Sequence, residues 1–238
     1  MIFDNTQVWG FKHAVRGMRN PMESWDKSDS WFDSNNDARF ELGENDIELM
    51  QKLIKAGPEH RKFMRQIFVS VDISAPLYWW KEFDTYKIGT VANSTSTMHK
   101  LSTTPITKDC FEMDDFSNGL LVYNQEPYNT DAYIEDIWDE IIGHCETLRK
   151  RYLETKDKKY WKELIRLLPE GWMQTRTVTL NYENLLGICS KGQRRFHKLN
   201  EWSGMDDPKA PNFISWARSL PYAQQLIFLD ELDEKSNN

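Results

Sequence analysis

The stretch from Ala75 to Leu101 holds the densest group of side chains that could bind a polar ligand. Gly89 ends a predicted helix, and a polar run follows it with flanking charges at Lys87 and Lys100. Hydroxyl, amide and backbone donors in such a run suit an anionic ligand such as a nucleotide. A solvated turn rich in Ser and Thr is the simpler alternative. The polar side chains are Thr90, Asn93, Ser94, Thr95, Ser96, Thr97, His99 and Lys100.

The helix ahead of this run carries two acidic side chains and two adjacent tryptophans. Pro76 stands where the helix would begin, since proline is well tolerated in a first helical turn. Trp79 and Trp80 are predicted to pack in the core rather than to stack on a ligand. Glu82 and Asp84 either contact a ligand, face solvent or pair with neighbouring lysines.

Composition predicts a folded chain and excludes some functions. The 238 residues include 10 Trp, and the apolar fraction is 39%, enough for a substantial core. A net charge of −7 argues against general nucleic-acid binding, which requires a basic face. Three local basic clusters are either solvated faces or parts of one anion site. They are Lys12, His13, Arg16 and Arg19; Arg61, Lys62 and Arg65; and Arg194, Arg195, His197 and Lys198.

The cysteines and the apolar runs indicate a reduced, cytoplasmic protein. Cys110, Cys145 and Cys189 have no paired spacing, so neither a disulfide framework nor a zinc site is expected. Cys145 falls on the apolar face of a predicted helix and is therefore expected in the core. The apolar runs are short, so no signal peptide, membrane span or membrane partner is expected.

Hydrophobic periodicity predicts a single α+β domain between two terminal segments. Residues 1–36 form an aromatic arm or loop, residues 37–230 form the domain, and residues 231–238 form a disordered tail. Residues 102–130 are expected to be irregular. Strands are predicted at Ile67–Ile73 and Met173–Leu180, and helices at Asn45–Ala56, Asp131–Leu153, Lys159–Leu168, Asn181–Cys189, Arg194–Trp202 and as a pair within Asn212–Leu229.

Two segments together resemble flavin-dependent thymidylate synthases. One is the stretch from Ala75 to Leu101, and the other is L-L-P-x11-N-Y-E-N-L-L at Leu167 to Leu186, with Arg194 and Glu201 beyond it. The resemblance extends over roughly residues 45–202. It implies a small antiparallel sheet packed by long helices, and a homotetramer whose active sites are shared between subunits.

The resemblance also implies cofactor-binding positions, several of which carry substituted residues. The family's Arg-His-Arg segment falls on Thr85, Tyr86 and Lys87, and its flavin-contacting Thr and Glu fall on Lys62 and Arg65. The family's Asn-x-Arg helix start falls on Asn181, with Glu183 in place of the arginine. The predicted cofactor-binding residues are therefore Thr85, Tyr86, Lys87, Asn181, Lys62 and Arg65.

The substrate positions follow from the same resemblance. Asn93, Ser94, Ser96 and Arg194 are the predicted nucleotide-binding residues, and Glu82 and Ser96 are the predicted catalytic ones. Ser94 replaces a family glutamate, and Met98 replaces a family arginine. Glu82 replaces the family's substrate-contacting glutamine, so an amide becomes a carboxylate at that position.

The implied activity is reductive methylation of dUMP to dTMP by a flavoprotein methyltransferase of nucleotide biosynthesis. The implied cofactor is FAD, with methylenetetrahydrofolate and NADPH as co-substrates and a pyrimidine deoxynucleotide as ligand. A first alternative is a protein without turnover that binds a nucleotide or a partner on the same fold. A second is a scaffold whose former cleft is filled by the Trp-rich segment Trp25 to Phe32.

Overall fold

The computed structural model describes residues 1–34, 36, 39–125 and 130–236, so predictions for residues 35, 37, 38, 126–129, 237 and 238 lie outside the described residues. The strands are β1 (Ile2–Trp9), β2 (Trp31–Phe32), β3 (Phe40–Glu41), β4 (Phe68–Pro76), β5 (Val91–Ser94), β6 (Leu121–Gln125), β7 (Thr130–Tyr133) and β8 (Met173–Asn181). The helices are α1 (Phe11–Arg19), α2 (Glu44–Lys55), α3 (Leu77–Phe83), α4 (Thr97–Lys100), α5 (Ile134–Thr155), α6 (Lys158–Leu167), α7 (Tyr182–Ile188), α8 (Asn200–Ser203), α9 (Phe213–Arg218), α10 (Ala223–Leu226) and α11 (Leu229–Ser236). In this described part, no helix combines the length and apolarity needed to cross a membrane.

The main sheet has four strands in the order β1-β4-β8-β5. Side-chain contacts place β8 antiparallel to β4, since Thr179 Oγ1 donates to Ser70 Oγ at 3.3 Å and Thr177 Oγ1 donates to Asp72 Oδ1 at 2.5 Å. Two short ribbons, β2-β3 and β6-β7, are also antiparallel. The architecture is therefore the predicted α+β class, a small antiparallel sheet with long helices.

The alternating pattern that predicted β4 matches its burial. Ile67, Val69, Val71 and Ile73 are at most 1% exposed, whereas Phe68, between Ile67 and Val69, is 37% exposed. Successive side chains of a strand point to opposite faces. A strand that buries one face and exposes the other to solvent therefore shows a period of two in its sequence.

The chain divides into two compact units. The first comprises Met1–Ile73, Phe83–Asn93 and Arg176–Asn238, and the second comprises Ser74–Glu82 and Ser94–Thr175. In the first unit, Tyr182, Trp202, Phe213 and Phe228 are fully buried. The domain limits predicted at residues 36 and 230 stay predictions.

The second unit has its own core. Helices α5 and α6 contribute Cys145 and Leu164, which pack in one cluster with Leu101, Phe111 and Trp172. Cys145 is fully buried as predicted, and burial raises the pKa of its thiol to about 11. Trp79 and Trp80 are also fully buried, with ring centroids 4.9 Å apart, which confirms their assignment to the core.

The amino-terminal segment is more regular than the predicted arm. Residues 2–19 form β1 and α1 instead of an irregular loop. Gly10 joins the two elements at a φ of 95°, and a Cβ there would lie 2.0 Å from the Gln66 carbonyl oxygen. Only glycine fits this junction, so a turn between two elements was hidden in a polar sequence with little periodicity.

The predicted helix at Arg194–Trp202 is wrong, because only Asn200–Ser203 is helical there. The reason is tertiary: Arg195 is 4% exposed, and its Nε donates to the Cys189 carbonyl oxygen at 2.7 Å. Its Nη1 also lies 2.7 Å from Asp230 Oδ2. These contacts hold the backbone in turns around residues 190–199 and override the helical pattern of the side chains.

Three other boundaries differ from the sequence prediction. The long helix predicted from Asp131 begins at Ile134, because residues 130–133 pair as β7 with β6. Residues 102–125 include a 3-10 turn at Lys108–Cys110 as well as β6. Residues 231–236 belong to α11 rather than to a disordered tail.

A partly buried ion pair in the second unit makes stability depend on pH. Glu146 accepts hydrogen bonds from Arg149 Nε at 2.7 Å and from the Ile106 backbone N–H at 2.9 Å. The Arg149 hydrogen bond is the largest influence that lowers the pKa of Glu146, from 4.5 to about 2. The charged carboxylate therefore stabilises the fold above pH 4.5, and this contribution is lost as the pH falls towards 2.

We expect Glu146→Gln to lower the free energy of unfolding by roughly 2–3 kcal/mol at neutral pH, after a discount for solvent screening. The difference between variant and wild type should shrink as the pH falls through the window from 4.5 to about 2. Urea unfolding of both proteins at neutral pH and near the lower end of that window measures it. A difference that stays constant with pH would contradict the assignment.

Candidate functional site

The segment from Phe83 to Asn93 carries four of the predicted site residues, and the turn within it, between α3 and β5, lies against the start of α7. Asn184 Nδ2 donates to the Ile88 carbonyl oxygen at 2.7 Å, and Thr90 Oγ1 donates to the Tyr86 carbonyl oxygen at 2.6 Å. Gly89 has a φ of 77°, and a Cβ there would lie 3.1 Å from Asn181 Nδ2. Glycine is therefore needed for the turn to approach α7.

Arg194 and Tyr86 are brought together by this turn. Arg194 Nε donates to the Tyr86 hydroxyl oxygen at 3.0 Å, and the same hydroxyl donates to Gln193 Oε1 at 3.1 Å. The Arg194 guanidinium carbon lies 5.6 Å from the centroid of the Tyr86 ring and 5.0 Å from that of Trp202. Cation–π contact with these two rings and the hydrogen bond to Tyr86 hold this half-buried guanidinium in its orientation.

The amino-terminal end of α7 is capped by two asparagines, each of which accepts a hydrogen bond from the backbone N–H of the other. The Asn184 backbone N–H donates to Asn181 Oδ1 at 3.0 Å, and the Asn181 backbone N–H donates to Asn184 Oδ1 at 3.1 Å. Asn181 is 7% exposed. Asn181 therefore caps α7, and its predicted cofactor contact stays a prediction.

Glu183, the next polar residue of α7, is paired with two arginines. Arg65 Nε donates to Glu183 Oε2, and Arg61 Nε donates to Glu183 Oε1 at 3.3 Å. The hydrogen bond from Arg65 is the main cause that lowers the pKa of Glu183. The resemblance places a glutamate at position 65 and an arginine at position 183. Their charges are thus exchanged in this chain, and the two exchanged side chains contact each other.

A second charged pair lies beside the turn. Arg176 Nη1 donates to Asp84 Oδ1 at 2.8 Å. Asp84 thus pairs with a residue of β8 rather than with a lysine of its own helix, and Lys81 instead contacts Glu170 at 2.6 Å. Sequence spacing had suggested local pairs, which the tertiary fold replaced with distant ones.

Lys62 lines a cavity of about 620 Å³ in the first unit. The wall combines apolar groups with donors, among them the His60 imidazole and the Gln66 amide. The Lys62 ammonium also lies 3.3 Å from Glu59 Oε2 at the exposed rim. The residues that line the cavity are Gly17, Met18, Asn20, Pro21, Met22, Ser24, Leu49, Leu53, Glu59, His60, Lys62, Phe63 and Gln66.

Ser94 and Ser96, two predicted residues of the second unit, lie at the end of β5 and at the start of α4. Ser96 Oγ accepts a hydrogen bond from the His99 backbone N–H at 3.3 Å and caps α4. The Thr95 backbone N–H donates to the Thr175 carbonyl oxygen at 2.8 Å. Glu82 and Ser96 are half-buried, and Ser94 is exposed. The polar run is thus strand and helix cap rather than a loose turn.

Sequence reasoning did not find every residue that shapes this site. Thr85, Lys87 and Asn93 are exposed, and the structure adds other residues to the turn instead. The role of Asn184 could have been predicted from the sequence. It lies three residues after Asn181, and this is the spacing of a capping box. Gln193 and Trp202 have no local signal, since only tertiary packing brings them to Tyr86.

Comparisons with known proteins bear on the fold. No family model and no curated protein sequence matches the chain. The flavin-dependent thymidylate synthase ThyX from Helicobacter pylori, complexed with FAD and dUMP, matches 97% of this chain and 99% of that chain at 17% identity, with a TM-score of 0.62. A second structure of the Helicobacter pylori enzyme with FAD and dUMP matches 94% and 95% of the two chains at 17% identity, with a TM-score of 0.59. This chain has the flavin-dependent thymidylate synthase fold.

A related protein shares that thymidylate synthase fold. The UMP/dUMP methylase PolB from Streptomyces cacaoi, bound with 5-Br UMP, matches 96% of this chain and 93% of that chain at 12% identity, with a TM-score of 0.57. The resemblance read from Ala75–Leu101 and Leu167–Leu186 is confirmed at the level of fold. Because these matches cover nearly the whole chain, the thymidylate synthase fold also includes β1 and α1, which the sequence resemblance had left out.

Proposed function

We propose that this protein is a divergent flavin-dependent enzyme that modifies a pyrimidine nucleotide, with reductive methylation of dUMP to dTMP as the default reaction. Proteins with the same fold bind FAD and dUMP, or act as UMP/dUMP methylases, and so support this ligand class. The observation that carries the proposal is the guanidinium of Arg194, held against Tyr86 and Trp202. An arginine fixed in this way binds phosphate at a small further cost in side-chain entropy.

The cavity beside Lys62 fits a flavin in chemical character. The Lys62 ammonium, the His60 imidazole and the Gln66 amide supply donors for phosphate and for polar ring edges, while Met18 and Phe63 supply apolar contact. Lys62 would hold the anionic part of FAD, and the apolar wall would exclude water from the ring. When bound and reduced, the flavin supplies the hydride that converts a transferred one-carbon unit into a methyl group.

The remaining roles follow the resemblance. Arg194 would bind the nucleotide phosphate and Asn93 would contact the nucleotide, while Lys87 is a proposed flavin contact. Thr85, Tyr86, Asn181 and Arg65 are proposed flavin contacts, although Arg65 also contacts Glu183. Glu82, Ser94 and Ser96 keep their predicted roles, with Glu82 as the group that contacts substrate or holds a proton. Methylenetetrahydrofolate as carbon donor, NADPH as reductant, a homotetrameric assembly and a cytoplasmic location complete the proposal.

Flavin absorbance tests the proposal directly. We expect purified protein mixed with FAD to retain a bound-flavin spectrum after gel filtration, and to release tritium from labelled dUMP when co-substrates are added. Lys62→Ala should weaken FAD binding about tenfold, since a charge-assisted hydrogen bond contributes roughly 1.5–3 kcal/mol. Lys52→Ala, an exposed lysine outside the cavity, is the matched control and should leave FAD binding unchanged. A protein that stays colourless with excess FAD would refute the flavoenzyme proposal.

One observation favours a second function, a protein that binds a nucleotide without turnover. Glu183 pairs with both the Arg65 and the Arg61 guanidinium groups and offsets one of their two positive charges, so the positive charge offered to a flavin pyrophosphate is reduced. Under this alternative dUMP binds but no tritium is released and no flavin is retained. The Trp25–Phe32 plug receives less support, since Trp25 and Trp31 are 42% and 57% exposed.

A further inference from the structure

The basic cluster on α1 lies outside the residues proposed to bind flavin and substrate. Lys12, His13 and Arg16 line a cavity of about 260 Å³ between α1 and the segment from Trp25 to Phe32. Residues four apart on a helix share a face, so Lys12 and Arg16 project side by side, with His13 next to them. All three side chains are exposed to solvent.

The cavity keeps its positive charge in a protein whose net charge is −7. Throughout the described ranges, Lys12, His13 and Arg16 form no ion pair. The described residues that line the cavity include no carboxylate. Asp46 is fully buried, and Arg19 Nε donates to its Oδ1 at 2.6 Å, so its charge is already balanced. Asp26 and Asp29 belong to the same segment but do not line the cavity, and Asp29 accepts hydrogen bonds from the Asn45 and Asp46 backbone N–H groups.

The cavity wall is held in place without any ligand. Ser28 Oγ and Ser30 Oγ donate to Asp46 Oδ2 at 2.7 and 2.6 Å, which ties the segment to α2. The Trp25 indole N–H donates to Asn20 Oδ1 at 2.9 Å, and the Arg16 guanidinium carbon lies 5.5 Å from the Trp25 ring centroid. A preorganised wall reduces the entropy lost when a ligand binds.

We propose that this cavity binds a small aromatic phosphate, namely a nucleoside monophosphate. Lys12, His13 and Arg16 bind the phosphate, and the base stacks on Trp25 with Phe32 as the opposite apolar wall. Stacking on a tryptophan tolerates different bases, while the two cations Lys12 and Arg16, with the His13 imidazole beside them, select the anionic group. The site goes beyond the proposed reaction, because none of its residues has a role in that reaction.

Three ligands test separately whether the phosphate and the base contribute to binding. The probes are GMP; ribose 5-phosphate, which lacks the base; and guanosine, which lacks the phosphate. Each is titrated calorimetrically into the full chain with saturating FAD and without dUMP, because dUMP is itself a nucleoside monophosphate and would compete for this site. We expect GMP to bind at least tenfold more tightly than either fragment, because both the phosphate and the base contribute. No GMP binding, or equal affinity for GMP and ribose 5-phosphate, would overturn the proposal.

Paired variants locate the site. The double variant Lys12→Ala/Arg16→Ala should weaken GMP binding by at least tenfold, and Trp25→Leu should weaken GMP more than ribose 5-phosphate. Lys150→Ala/Arg151→Ala removes the same charge from exposed positions on α5 and should leave the dissociation constant within twofold. Arg194→Ala should also leave GMP binding unchanged. If Arg194→Ala abolished GMP binding and the α1 variant did not, GMP would occupy the proposed reaction site instead.

Discussion

Arg194→Ala is expected to weaken dUMP binding by about tenfold to hundredfold. A charge-assisted hydrogen bond to phosphate contributes roughly 1.5–3 kcal/mol, which corresponds to that range of dissociation constants. The effect should be large because Tyr86 and Trp202 already hold the guanidinium in one orientation. Isothermal titration of wild type and variant with dUMP measures it.

Three controls give this result its meaning. Arg194→Lys keeps the charge but loses the planar fork, so it should recover only part of the affinity. Tyr86→Phe removes the hydroxyl that accepts from Arg194 and should cause a smaller loss than Arg194→Ala. Arg151→Ala removes an exposed arginine of α5 and should have no effect. A dissociation constant unchanged by Arg194→Ala would remove this residue from the binding site.

Asp46→Asn is expected to cost about 3–5 kcal/mol of unfolding free energy, because it leaves the buried Arg19 guanidinium without its counter-charge. Asp46 is fully buried, and Arg19 is 4% exposed. Burial alone would raise the pKa of Asp46, but hydrogen bonds from Ser30, Ser28 and Arg19 lower it. The carboxylate is therefore charged in the fold at neutral pH. Urea denaturation of wild type and variant at neutral pH gives the difference.

Two further variants distinguish loss of the charge from loss of a single contact. Ser28→Ala removes one of the hydroxyls that donate to Asp46 and should cost only about 1 kcal/mol. Arg19→Met combined with Asp46→Leu removes both charges and should be more stable than Asp46→Asn alone. If the double replacement were the less stable of the two, the unpaired charge would not be the source of the loss.

The sequence by itself determined the elements whose hydrophobic period shows directly. Helices α2, α5 and α6 and strands β4 and β8 lie within a few residues of their predicted positions, since burial of one face imposes the period on the side chains. The core positions of Trp79, Trp80 and Cys145 followed from the same argument. The segments Ala75–Leu101 and Leu167–Leu186, in that order, also sufficed to predict the fold by resemblance.

Only the tertiary structure decided which charged and polar groups meet. Arg194 and Tyr86 are 108 residues apart in sequence, and Arg65 and Glu183 are 118 apart, so no local pattern could reveal either contact. The turns around Arg195, a segment whose pattern predicted a helix, depend on the pairing of its buried guanidinium with Asp230. Periodicity reports the face that each element buries. The partners of a polar side chain depend on how distant segments pack, and that information is not local.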